Sequence, residues 1–178
     1  MTVAPTMLLD ANVVSYFFNA SRKQELGTIA QVLSLAVVEE VHQEALNHKK
    51  RGDEYRKWQL SSGLTVRSLA VGGVGSVCLG TLRGGSNDMK DLGEHASIAL
   101  AVEDPSLLLV TNDKGGAWLG LRELVAPGER VIRIWSFLQR AQVAANLGAT
   151  AVKAIAESAH LKNDEPTWWN AWLATLPP

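Results

Sequence analysis

The chain has 178 residues, 47% of them hydrophobic, and its 17 Lys and Arg against 18 Asp and Glu leave a formal net charge of −1. That length suits one domain with a small appendage, and the composition excludes disorder, collagen and coiled coil. The charge excludes a protein held to nucleic acid by bulk positive charge, and equally an acidic tail protein.

Met7 to Leu9 is a short apolar run that ends at Asp10, and apolar residues resume from Val13 to Phe18. The pattern predicts a buried strand, an acid at its C-terminal end, and a helix capped by Asn12. A second helix is expected over about Gln24 to Ser34. Leu35 to Val38 is apolar, and Glu39-Glu40-Val41 opens a helix expected to run to about Lys57. Leu64 to Val71 alternates and predicts a strand. Gly72 to Gly85 is glycine-rich, with a short helix over Val74 to Leu82. Leu92 to Glu103 reads as a helix and Ser106 to Val110 as a strongly apolar strand that ends at Thr111-Asn112-Asp113. Trp118, Leu119 and Leu121 belong to a short helix. Val131 to Ile134 is the last strand, and a helix follows from Ser136 to about Asn146.

Strands separated by helices predict a three-layer α/β/α sandwich with a mostly parallel sheet over residues 1–146. Residues 147–178 form a C-terminal helical extension, with one helix (Thr150 to His160) and a tail that carries Trp168, Trp169 and Trp172. These tryptophans are expected to pack against the body or a second subunit. Met1 to Leu9 lacks a basic n-region, and no window reaches the roughly 18 apolar residues of a membrane span, so a cytoplasmic location is expected. The one cysteine, Cys78, sits in an apolar stretch and is expected to be a buried thiol, not half of an intrachain disulfide.

Two acids stand at the C-terminal ends of apolar strands: Asp10 directly after Leu8-Leu9, and Asp113 after Leu108-Leu109-Val110, with Thr111 and Asn112 between. Parallel strands place such ends on one edge, where open α/β sheets bind ligands. Glu40 follows a third apolar run. Glu94 opens the helix that leads to the Ser106 strand, with Asp91 one turn earlier on the same face. Carboxylates gathered in one cleft repel one another unless a cation neutralises them. Oxygen donors, with no histidine at ligand spacing among His42, His95 and His160, favour Mg²⁺ or Mn²⁺ over Zn²⁺. Such an ion suits phosphodiester cleavage. The competing reading of each acid is a turn, a cap or a solvated helix face.

Two other chemistries find little support. No Gly-Lys-Ser/Thr follows the glycines at 72, 73 and 75, so they make no phosphate loop. An aspartate phosphatase wants a second Asp two residues after the first, and Asn12 stands there. One basic stretch is evident: from His48 to Arg67 six Lys or Arg face two acids. Its leading residues, Lys49, Lys50 and Arg51, are candidates to meet RNA phosphates.

The segments MLLDANVVSYFF, LSLAVVEEV, DLGEHASIALA, LLLVTNDKG and ERVIRIWSFL resemble, in order, the motifs of the PIN domain, the metal-dependent nuclease fold of VapC-type toxins. The resemblance covers about residues 6 to 145. Ser34 stands six residues before Glu40, as the family often has it, which favours Glu40 over Glu39. The Gly72 to Gly85 stretch and the tail match no motif. The resemblance implies a Mg²⁺- or Mn²⁺-dependent endoribonuclease, the toxin of a toxin–antitoxin pair. Asp10, Glu94 and Asp113 would be the metal ligands, and Glu40 a ligand or water positioner. Asp91, Thr111 and Asn112 would stand behind them. The implied partners are RNA, a protein antitoxin and a second copy of the chain. Two alternatives remain at this point: a PIN scaffold that binds RNA or protein with a weak or inactive metal site, and an RNA-processing nuclease without antitoxin.

Overall fold

The computed structural model describes residues 5–84, 91–124, 130–159 and 166–177. Five strands form one parallel sheet: β1 (Met7–Leu9), β2 (Leu35–Val38), β3 (Thr65–Arg67), β4 (Leu108–Thr111) and β5 (Val131–Arg133), in the order β3-β2-β1-β4-β5. Among the described residues there are ten helices. They are α1 (Ala11–Asn19), α2 (Lys23–Val32), α3 (Glu39–Leu46), α4 (Gly52–Ser62), α5 (Val74–Arg83), α6 (Leu92–Glu103), α7 (Lys114–Glu123), α8 (Ile134–Ala145), α9 (Ala149–Ser158) and α10 (Trp169–Leu173).

The three central strands are the most apolar. Every residue of β1 and β2 is buried, as central parallel strands covered on both faces require. In register, Met7 lies beside Leu35 and Leu108, and Leu9 beside Val110. Right-handed crossovers then fix the layers. The chain steps from β1 to β3 in one direction with α1 to α4 on one face. It crosses back to β4 and β5 with α5 to α7 on the other. The contacts agree: α6 packs on β1, β2 and β4, α5 packs on α6, and α8 returns to lie against α2. The expected α/β/α sandwich is therefore the fold.

Several boundaries differ from the sequence expectation. The helix expected from Glu39 to Lys57 is two helices, α3 and α4. Gly52 marks the break, for a Cβ there would lie 2.0 Å from the Leu46 carbonyl oxygen. The strand expected over Leu64 to Val71 is only Thr65–Arg67, at the sheet edge. Asp10, not Asn12, takes the N-cap position of α1. Cys78 is half-buried, not buried. Expectations on Met1 to Ala4, Gly85, Glu129 and His160 lie outside the described residues.

The C-terminal segment folds back on the body. α9 packs on α1 and α8. Trp169 is buried, with its ring centroid 4.3 Å from that of Trp135 in α8, and Trp172 stacks behind it at 5.1 Å. The Ala149 N–H donates to the Pro177 carbonyl at 2.7 Å, which ties the tail to the start of α9. Among the described residues no helix is long and apolar enough to cross a membrane.

Candidate functional site

The chain reverses its direction of travel across the sheet between β1 and β4, the position where open α/β sheets form a crevice at their carboxyl edge. Asp10 leaves β1 there, and Asn112 and Asp113 leave β4. Backbone pairing makes the two strand ends neighbours: the Asp10 N–H donates to the Val110 carbonyl at 3.0 Å.

Thr111 joins the two acids. It is buried, its Oγ1 donates to Asp10 Oδ2 at 3.0 Å, and the same oxygen accepts the Asp113 N–H at 3.2 Å. Asp113 caps α7, and its Oδ2 accepts the Gly116 N–H at 2.7 Å. Glu94, in the first turn of α6, comes to the same glycine. A Cβ on Gly116 would lie 2.5 Å from Glu94 Oε2, so only glycine leaves room for the carboxylate at this position. Thr111 and Gly116 thus link the three carboxylates in sequence: Asp10 to Thr111, Asp113 to both, and Glu94 to Gly116.

Their charges interact. Burial raises the Glu94 carboxyl to about 7, and the negative charges of Asp10, Asp113 and Asp91 push the same way. Burial also raises Asp10, opposed by the Thr111 hydroxyl and reinforced by Asp113 and Glu44. Two like charges close together disfavour ionisation of both.

The other expected residues fall in different places. Asp91 is exposed at the N-cap of α6 with φ 57°, and its carbonyl accepts the His95 N–H. The Asn112 Nδ2 donates to the Tyr16 hydroxyl at 3.3 Å, while the Arg133 Nη2 donates to the Asn112 carbonyl at 2.8 Å. Glu40 lines a pocket between α3 and the start of α6 with Glu44 and Gly93, and its Oε2 is buried without a hydrogen-bond partner among the described residues. The charge of α3 that reaches Asp10 is that of Glu44, one turn further on. Lys49 and Lys50 are exposed, and Arg51 hydrogen-bonds Asn19 at the far end of α1. Asn19 is the last residue of the nine-residue α1, and Arg51 and His48 also line a pocket with Val14 and Ser15 of that helix.

The sequence reading missed Tyr16, Glu44, Gly116 and Arg133. For Arg133 a signal exists in the pattern: it ends the last strand, as Asp10 and Asp113 follow theirs. Nothing local in the sequence marks the other three.

The donors are oxygens only, which suits a hard divalent cation. Among the described residues, no three His, Cys, Asp or Glu side chains stand close enough to hold one ion together. Mg²⁺ asks for less, since one or two carboxylates with water completing the shell suffice. Glu94, raised by burial first and then by its acidic neighbours, is the carboxyl at which a cation would be most favoured, and its oxygen donors suit such an ion in kind. Comparison with known proteins returns no match: no family model, no curated protein and no solved structure.

Proposed function

We propose that the chain is a PIN-type endoribonuclease, dependent on Mg²⁺ or Mn²⁺, that hydrolyses RNA phosphodiester bonds as the toxin of a toxin–antitoxin pair. It would act in the cytoplasm, as a homodimer held in check by its antitoxin. The observation that carries the chemical part is that Asp10, Glu94 and Asp113 act on one another electrostatically at the switch point of a parallel sheet, with Glu94 pushed up to about 7 by burial and by its neighbours. The part about a toxin rests on the sequence resemblance.

A divalent ion at such a site lowers the pKa of a bound water and stabilises charge on the scissile phosphate. The residues divide the remaining work. Asp10 and Asp113 offer their carboxylates from rigid strand ends. Thr111 fixes the Asp10 rotamer by donating to Oδ2, and the Gly116 N–H fixes Asp113. Glu94 closes the cluster from α6, and Glu40 and Glu44 extend the negative wall along α3. Outer partners of this kind orient the groups that hold an ion.

A second reading, a PIN scaffold that binds RNA or protein with a weak metal site, is favoured by one observation: among the described residues no three acids stand together as an ion-holding group. Cleavage of a labelled RNA separates the two. The nuclease reading expects cleavage with Mn²⁺ or Mg²⁺, none in EDTA, and a loss of about 10²–10⁴-fold in Asp10→Asn and Asp113→Asn, the several kcal/mol that charge stabilisation at such a centre supplies. Wild-type rates in both variants would refute it.

A further inference from the structure

Arg133 ends β5 on the same carboxyl edge as the acids. It pairs in register with Thr111, the residue that joins Asp10 to Asp113. Its Nη2 donates to the carbonyl of Asn112, between Thr111 and Asp113 in the chain. Its charge acts on the Tyr16 hydroxyl, where the charges of Asp10 and Asp113 act as well. Arg133 therefore stands beside the Thr111–Asp113 strand end, half-buried.

It nevertheless forms no salt bridge with any of the acids among the described residues. Arg67 and Arg56, by contrast, are each paired with an acid: Arg67 with Asp104 at 2.9 Å and Arg56 with Asp53 at 3.8 Å. A guanidinium carries five N–H donors in a planar fork, and a single backbone carbonyl occupies one of them here. The remaining donors suit an anion with two oxygens, and the non-bridging oxygens of a phosphodiester match that geometry.

Electrostatics asks for such a group. An edge lined by carboxylates repels a polyanionic strand, and a cation at its rim has to draw the strand in. The Lys49 to Arg51 turn meets α1 through Arg51 and Asn19, at the end of that helix away from Asp10.

We propose that Arg133 holds a backbone phosphate of the single-stranded RNA beside the acid cluster, fixed in place by the Asn112 carbonyl. It is a binding and positioning residue, and the nature of its ligand rests on the nuclease reading above.

The test is fluorescence anisotropy of a labelled single-stranded oligoribonucleotide across a range of NaCl. Ca²⁺ is present because it suits the same oxygen donors, and the strand's integrity is checked on a gel. Arg133→Gln should weaken binding about tenfold and reduce the slope of log affinity against log salt by about 0.7, one single-strand phosphate contact. Arg133→Lys should keep the slope and lose about threefold in affinity, since it keeps the charge without the fork. Arg140→Gln, exposed on α8, should bind as wild type. Wild-type affinity and slope in Arg133→Gln would overturn the inference and leave the nuclease reading standing. If Arg133→Gln fails to fold by circular dichroism, Arg133→Lys decides, and unchanged affinity there overturns the inference. A wild-type protein that neither binds nor cleaves RNA overturns the nuclease reading and this inference with it.

Discussion

At its start, α1 rises from Asp10, where three carboxylates, a buried threonine and a half-buried arginine crowd one edge of the sheet. At its end, nine residues on, Phe18 packs edge-on against Trp58 with ring centroids 5.3 Å apart and against Tyr55 at 5.9 Å. The second region is what a fold does when only stability is at stake: large apolar rings are buried against each other between α1 and α4. The first region does the reverse. It gathers like charges in a partly buried place, so that one carboxyl is pushed to about 7. A cluster that works against folding is what the proposed site rests on, and the contrast runs along one helix.

The contrast breaks most visibly at the aromatic end. Trp58 is 6% exposed, and Trp58→Ala should cost about 3–5 kcal/mol of stability. Thermal or urea unfolding measures that loss. RNA cleavage assayed well below the melting temperature should stay at the wild-type rate. A parallel loss of cleavage in the folded variant would mean the two ends are coupled.

At the acid end the expectation is opposite. Thr111→Val removes the donor to Asp10 Oδ2 and the acceptor of the Asp113 N–H at nearly constant shape. Cleavage should fall about 10–100-fold, as it does when outer partners of an ion site are removed. Full activity in this variant would show that Thr111 does not order the acids.

The smallest effect concerns stability and pH. The folded protein keeps a proton on Glu94 up to about pH 7, whereas the unfolded chain releases it near 4.5. The contribution of this group to stability is therefore complete below pH 4.5 and lost as pH rises through about 7. Glu94→Gln cannot ionise. It should melt with wild type at pH 4.5 and above it at pH 8, by about 1 kcal/mol after screening of a half-exposed group, or about 2–4 °C. Melts that coincide at pH 8 would remove the like-charge repulsion from the account.

Much of this was legible in the chain. The strands at Leu8-Leu9, Ala36 to Val38 and Leu108 to Val110 announce themselves as continuous apolar runs, and α6 begins and ends where its pattern does. Asp10 and Asp113 could be read because a parallel sheet puts all strand C-termini on one edge. The break between α3 and α4 could not, because it depends on how closely Gly52 approaches the Leu46 carbonyl, a contact made only in the folded chain. Gly116 escaped for the same reason, since its importance lies in the space left for Glu94. Arg133 was within reach, because it ends β5 as Asp10 and Asp113 follow their strands. Glu40 is the instructive case. The sequence places it at the right distance after β2, yet the side chain of α3 whose charge reaches Asp10 is Glu44, one helical turn further on.

The claim that the carboxyl edge works as one cation-binding cluster is tested most directly by Mn²⁺ titration calorimetry at pH 7.5, on the wild-type protein and on the Asp10→Asn, Asp113→Asn double variant. Binding at millimolar concentration or tighter is expected in the wild type, with its loss in a double variant that melts no lower than the wild type. A folded wild-type protein that takes up no Mn²⁺, or a double variant that binds it equally well, would rule out a cation site at this edge.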